Sequence, residues 1–346
     1  MSNFLAKLFM KRKNLENTCM DVYDTSCEIQ QDFEKTNDEY AEFLDCNLDL
    51  PVYETPFSEE KAIEMFLPSF TTILKDKHLS KKELLLGSIF GDIIGEPYEY
   101  TMTNSNSGIF IEKNDLLSKD NHFTDDTVLT IATLDALINN KGFAELYKEY
   151  HEKYPRGYGW SFTVWANSEC DRAYGSYGNG SAMRVSPCAI IFDELEDVIR
   201  AAYKSAVVTH NHEEGIKGAV VTAVCIWLAR FGSVKDIEQY MYEQYDDDRY
   251  FYRFSLPFEE MVKKKKHMPV SCQSAVPFSI RCALDSCSYK DFMKNLIEAG
   301  HDVDTDGAIA GAVAAGLYGF PYPNTESFMR NYLPDEFINM IVLLEE

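Results

Sequence analysis

From Lys81 onward, apolar positions recur at intervals of three and four residues, the spacing of one face of an α-helix. Leu84 to Gly95 is an apolar stretch in which Gly87, Gly91 and Gly95 fall every fourth residue and so share one helix face. Glycine weakens a helix, so a face built from it implies very close backbone packing. Asp126–Ile138 carries its apolar positions at Val128, Leu129, Ile131, Leu134 and Leu137, with Thr124 or Asp125 as cap. Leu195–Val208, Glu214–Phe231, Tyr289–Ala299 and Ala308–Tyr318 also read as helices, and strand patterns are sparse. The pattern predicts an all-α protein. Unusual polar residues gather in three connecting stretches, Tyr154–Arg184, Asp246–Phe258 and His301–Asp306, while Lys263–Lys266 reads as a solvated helix face.

The first 80 residues differ in character. Asn14 to Glu60 holds 14 acidic residues against the single basic Lys35, a net charge of −13. Pro51 and Pro56 predict extended backbone around them. Two readings remain open: a solvated leader, or, given Tyr23, Phe33, Tyr40, Phe43, Tyr53 and Phe57, a segment that docks on a basic partner. The chain therefore divides into an acidic extension, 1–80, and a helical domain, 81–346.

A formal net charge of −23 over 346 residues argues against nucleic acid or an anionic membrane as partner. The nine cysteines are scattered without a CxxC pair, as expected of free thiols in a reducing compartment. No apolar run approaches the ~20 residues of a membrane span, and Met1–Lys13 has its charges in the wrong order for a secretory signal. The expected location is cytoplasmic.

Candidate chemistry lies in four places. Thr124-Asp125-Asp126-Thr127 and Asp302-Val303-Asp304-Thr305-Asp306 each open a helix. Acidic residues there favour the helix dipole, which would explain either cluster alone. Carboxylates and hydroxyls are also hard oxygen ligands suited to magnesium, manganese or calcium. The second cluster lacks the glycine and glutamate of an EF-hand, and two such clusters converging would form a two-metal hydrolytic site. Gly175-Ser176-Tyr177-Gly178-Asn179-Gly180, leading into Met183 and Arg184, is a glycine-rich loop whose amides can cradle phosphate. Thr209-His210-Asn211-His212 places two histidines between helices.

In this order, these segments resemble the ADP-ribosylglycohydrolase family, from about Leu84 to Tyr322. Gly87, Gly91, Asp92, Gly95 and Glu99 resemble its opening helix and the acidic residue after it. Gly157-Tyr158-Gly159 and Gly178 to Arg184 resemble its substrate loop. The resemblance implies an orthogonal multi-helix fold with a di-metal cleft and two Mg2+ ions, or Mn2+. By position, Thr124, Asp125, Asp126, Asp302, Asp304 and Thr305 would be the metal ligands, and Glu99, Asp125 and Asp126 the catalytic carboxylates. Gly175, Ser176, Tyr177, Gly178, Asn179, Gly180, Met183, Arg184 and His210 would bind the substrate. The implied activity is removal of ADP-ribose from a modified protein side chain, with arginine as the expected linkage because a protonated guanidine leaves readily.

Two positions depart from the family pattern. His301 replaces a glycine, and Val303 stands where threonine is frequent; both bear on loop shape. Trp160 replaces a small residue and narrows the expected entrance. Which of Asp125, Asp126 and Glu99 accepts the proton of the attacking water stays open. A rival reading makes the chain a binding protein whose acidic leader blocks an ADP-ribosyltransferase, and the two functions combine in an immunity protein against such a toxin.

Overall fold

The computed structural model describes residues 53–70, 80–99, 116–247, 250, 253–264 and 268–345. The expected partner-docking function of the leader falls mostly on residues 1–52, outside the described residues. All the described residues belong to one compact unit that begins at Pro51. Among them, every regular element is helical, in agreement with the all-α expectation.

Two helices form the axis of the domain. Lys81–Gly95 is capped by Ser80, whose side chain accepts from the Glu83 amide. Val303–Tyr318 is composed largely of alanine and glycine, and its first fourteen residues are buried. They run antiparallel. A methyl group placed on Gly91 would fall 2.2 Å from the Gly307 carbonyl oxygen, one on Gly87 2.6 Å from that of Gly311, and one on Gly95 2.4 Å from the Asp304 amide. The glycine face therefore meets a second glycine face, backbone against backbone. This contact brings the end of the first helix beside the start of the second, with Glu96–Tyr98 continuing as a 3-10 turn.

The remaining helices pack around this pair. Glu213–Phe231 is buried along most of its length. Asp125–Ile138 starts one residue earlier than its apolar pattern, because the Thr124 hydroxyl accepts from the Asp126 amide and caps it there. Val303–Tyr318 begins five residues before the predicted Ala308, so Asp304, Thr305 and Asp306 form its first turn rather than a loop. The stretch Tyr154–Arg184 is likewise not all loop. It contains Trp160–Ala166 and Gly180–Met183. Lys263 and Lys264 end a helix that starts at Phe258.

Residues 53–70 are part of the same core. Ser58 caps the helix Glu59–Phe66, and Ala62 and Phe66 are buried. No helix among the described residues is long and apolar enough to cross a membrane.

Candidate active site

The antiparallel glycine contact decides where the acidic clusters go. Asp304 sits in the first turn of one helix beside Gly95 at the end of the other, and Asp125–Ile138 approaches from the side, so the two clusters meet. The Thr305 hydroxyl donates to Asp126 Oδ2 at 3.4 Å across 179 positions of sequence. Two sets of three carboxylates have ligand atoms within 4.8 Å of one another: Asp92 with Asp126 and Asp304, and Glu99 with Asp302 and Asp304. Asp304 is common to both. Asp125 belongs to neither set, but lines the same cleft with Thr124, Asp126, Asp302, Asp304, Thr305 and Glu99.

Asp92 was not expected as a site residue. It is fully buried, and both its oxygens are engaged. Oδ1 accepts from the Thr124 hydroxyl at 2.8 Å, and Oδ2 accepts from the Thr127 hydroxyl at 2.5 Å and from the amides of Thr124 and Thr127 at 3.0 and 3.1 Å. These four donors make Asp92 the residue that holds the Thr124–Thr127 turn in place. Its signal in the sequence is an ionisable side chain inside an apolar helix, which must find partners when buried.

The electrostatics of the cleft are those of crowded, desolvated carboxyls. Burial pushes the Asp92 carboxyl up to about 6. Glu99 rises to about 7, first through desolvation and then through the charges of Asp302 and Asp92. Asp125 also reaches about 7, through burial and the Asp92 charge. Burial and neighbouring carboxylates hold Asp126 and Asp304 well above the ordinary range, and burial with the charge of Asp306 raises Asp302. Asp126 Oδ1 and Asp304 Oδ1 are buried without a hydrogen-bond partner. Orphaned carboxylate oxygens within reach of other carboxylates fit hard divalent cations, which neutralise the repulsion and fill the empty acceptor positions.

The opposite wall of the cleft carries the glycine-rich loop. Ser176, Gly178, Asn179, Gly180, Met183, Arg184 and His210 line a space of 680 Å³, whereas Gly175 and Tyr177 are not among its lining residues. Asn179 Nδ2 donates to Asp302 Oδ2 at 2.6 Å, so loop and acidic cluster are one construction. The Tyr177 ring is exposed, 5.1 Å from that of His212, and its carbonyl accepts from the Cys272 amide at 2.9 Å. Arg184 is fully buried, with its guanidinium 4.1 Å over the Tyr147 ring. Its Nη2 donates to the Ser205 carbonyl at 3.1 Å and to the Thr209 hydroxyl at 2.8 Å.

His210 is buried and its pKa lies well below the usual value, because desolvation and the nearby Arg184 charge disfavour a second proton. Its Nδ1 is 2.7 Å from the Thr209 hydroxyl, which already accepts from Arg184. The threonine proton is then donated to Nδ1, leaving Nε2 as the N–H donor. A methyl group on Gly180 would fall 3.3 Å from Nε2, so that donor faces the loop.

Two departures from the family pattern take structural form. His301 adopts φ +93°, a conformation glycine reaches without strain, and its Nε2 donates to the Met268 carbonyl at 3.0 Å. Trp160 stands at the cleft, half exposed. Sequence reasoning missed Arg156, Phe162 and Tyr174 in the lining. Arg156 donates to the Phe123 carbonyl at 3.1 Å and lies 4.3 Å over the Phe123 ring.

The cleft thus joins carboxylates that could hold a metal ion to a glycine-rich loop. The sequence model of the ADP-ribosylglycohydrolase family matches residues 79–322, and the chain belongs to that family. Mouse ADP-ribosylhydrolase ARH3 is 26% identical over 68% of this chain and 82% of its own length, and the human ARH3 is 24% identical over 68% and 84%. A putative ADP-ribosyl glycohydrolase of Acanthamoeba polyphaga mimivirus is 24% identical over 69% and 87%. A solved ADP-ribosylglycohydrolase-related protein complex shares the fold, with a TM-score of 0.54 at 18% identity, covering 76% of this chain and 96% of that one.

The raised carboxyls carry a pH prediction for the metal-free protein. Their folded pKa values of about 6 to 7 exceed the unfolded values near 4, so the native state binds more protons between them. Stability then falls as pH rises through this window. The metal-free melting temperature is expected to drop between pH 5.5 and pH 8, and added Mg2+ to raise it more at pH 8. A flat profile with an equal Mg2+ increment at both ends would contradict the carboxylate cluster as the cause.

Proposed function

We propose that this protein hydrolyses the bond between ADP-ribose and a modified protein side chain, with two divalent cations, Mg2+ by preference, held by Thr124, Asp125, Asp126, Asp302, Asp304 and Thr305. The observation that carries this reading is the bond from Asn179, in the glycine-rich loop, to Asp302, in the acidic cluster. It ties the loop proposed for the diphosphate to the carboxylates proposed for the cations.

Cations in this cleft would fix the ribose hydroxyls and lower the pKa of a water. The chain's own groups do the rest. The turn of the loop that ends in Asn179 and Gly180 receives the diphosphate, and neutral His210 donates from Nε2 to an oxygen there. Its lowered pKa keeps the ring uncharged there. Glu99 is the most exposed of the clustered carboxyls. That exposure supports Glu99 as the group that takes the proton of the attacking water as the bond from ribose C1 to the side chain breaks, through a transition state with oxocarbenium character. Asp126 already accepts from the Thr305 hydroxyl, and serves better as a ligand than as a base.

Arginine is the linkage proposed, because a guanidine leaves as a neutral base after protonation and the acidic cleft favours its cationic form. The test uses full-length protein with Mg2+ and two substrates, one ADP-ribosylated on arginine and one on serine. Faster release of ADP-ribose from arginine is expected. Release from serine alone would overturn the linkage and keep the hydrolase; release from neither would end the reading.

A further inference from the structure

The chain ahead of the family-matched region reaches the substrate loop. Residues 53–70 lie outside the match at 79–322, yet they are pinned to the domain at successive points. The Tyr240 hydroxyl donates to the Phe66 carbonyl at 3.0 Å, and the Tyr203 hydroxyl to the Phe57 carbonyl at 2.7 Å. Glu59 pairs with Arg200, and the Phe57 ring sits between those of Phe66 and Tyr203. These anchors aim the preceding residues along the domain surface towards Gly175.

There the contacts become specific. Asn211 Nδ2 donates to the Tyr53 carbonyl at 2.5 Å, and Asn211 Oδ1 accepts from the Gly175 amide at 2.9 Å. One side-chain amide therefore joins the strap to the loop. The Tyr53 ring lies against Gly175 so closely that a methyl group there would fall 2.6 Å from Tyr53 Cδ1. Gly175 adopts φ +69°, which only glycine holds at little cost, and the next amide, Ser176, donates to the Thr209 carbonyl at 3.3 Å.

We infer that Tyr53 and Asn211 are positioning residues for the substrate: the strap clasps Gly175 at the start of the loop and thereby holds the following turn, which ends in Asn179 and Gly180, in the conformation that receives the diphosphate. This rests on the functional reading above. A loop held before binding loses less freedom on binding, so the clasp acts on affinity rather than on the chemical step. A strap that only covered surface would add stability and leave the loop unchanged.

The experiment compares the full-length protein with Tyr53→Ala, Tyr53→Phe and Asn211→Ala. It measures the Kd for free ADP-ribose by calorimetry, KM and kcat for ADP-ribose release, and hydrogen exchange at the Gly175 and Ser176 amides. Tyr53→Ala and Asn211→Ala are expected to raise Kd and KM about tenfold with kcat within about twofold, and to speed exchange at both amides. Tyr53→Phe, which keeps the ring, is expected to behave as the parent protein. Unchanged Kd and unchanged exchange in Tyr53→Ala would overturn the clasp, and so would a loss confined to kcat. If the parent protein bound no ADP-ribose, the functional reading would fall, and the exchange rates would still decide the clasp.

Discussion

Asp304→Asn is expected to lower ADP-ribose release by about a thousandfold while leaving the metal-free protein as stable as the parent, or more so. The first half follows from position. Asp304 belongs to both carboxylate sets, so its loss removes a candidate ligand from each. Charge stabilisation by bound cations contributes several kcal/mol to a hydrolytic transition state, and about 4 kcal/mol corresponds to about a thousandfold in rate. The second half follows from electrostatics. Without cations, Asp304 is a buried carboxyl pushed up by desolvation and by Asp302, Asp126 and Glu99, and its Oδ1 has no partner. Asparagine keeps the shape and removes the charge that the fold resists. A structural residue would lose stability and activity together; a cation ligand loses activity and gains stability. The checks are release from a modified protein, a melting curve with EDTA, and a second curve with Mg2+. The Mg2+-induced rise in melting temperature should shrink or vanish in the variant. Full activity, in the variant or in the EDTA-treated parent, would remove the cations from the mechanism.

What the sequence made legible were features carried by local spacing. Glycines at 87, 91 and 95 share a face whatever the helix packs against, and Thr124–Thr127 opens its helix through a local cap. The partner of the glycine face was hidden, since Gly307 and Gly311 lie more than 200 positions away and read only as small residues in an alanine-rich helix. Asp92 was hidden for a different reason. It sits among Ile89, Phe90, Ile93 and Ile94, and its four donors come from Thr124 and Thr127 on another element. Gly175 and Tyr177 were assigned to the substrate by their place in a motif, and neither is among the residues that line the cleft. The helix Cys272–Asp285 carries Pro277 inside it, a residue that disfavours a helix interior. Ten of its fourteen residues are buried, so tertiary packing overrides the local penalty. The strap at Tyr53 was read as part of an acidic leader, because its helix buries only Ala62 and Phe66, a faint apolar signal among many acidic residues.

Gly91→Ala is expected to destabilise the protein by about 3 kcal/mol, a large effect for one methyl group. Alanine is the better helix former by about 1 kcal/mol, so intrinsic propensity predicts the opposite sign. Packing decides. The added carbon would lie 2.2 Å from the Gly307 carbonyl oxygen and 2.4 Å from its carbon. Both are backbone atoms in the middle of a buried helix, and no rotamer change relieves the overlap. The two axial helices must move apart, which loosens the neighbouring contacts of Gly87 with Gly311 and of Gly95 with Asp304. Overpacking a core costs about 1–3 kcal/mol, and more where backbone blocks the relaxation. Chemical denaturation measures the change, with Gly157→Ala as control, since nothing lies within 4 Å of a methyl group there. That control should be neutral or slightly stabilising. The separation also has a functional consequence, because Asp304 rides on the helix that is displaced. Gly91→Ala protein that still folds should need a higher Mg2+ concentration for half-maximal activity, and Gly95→Ala, which strikes Asp304 itself, a higher one still. A Gly91→Ala variant within about 1 kcal/mol of the parent, with an unchanged Mg2+ requirement, would mean that the glycine contact neither holds the axis together nor sets the place of the acidic cluster.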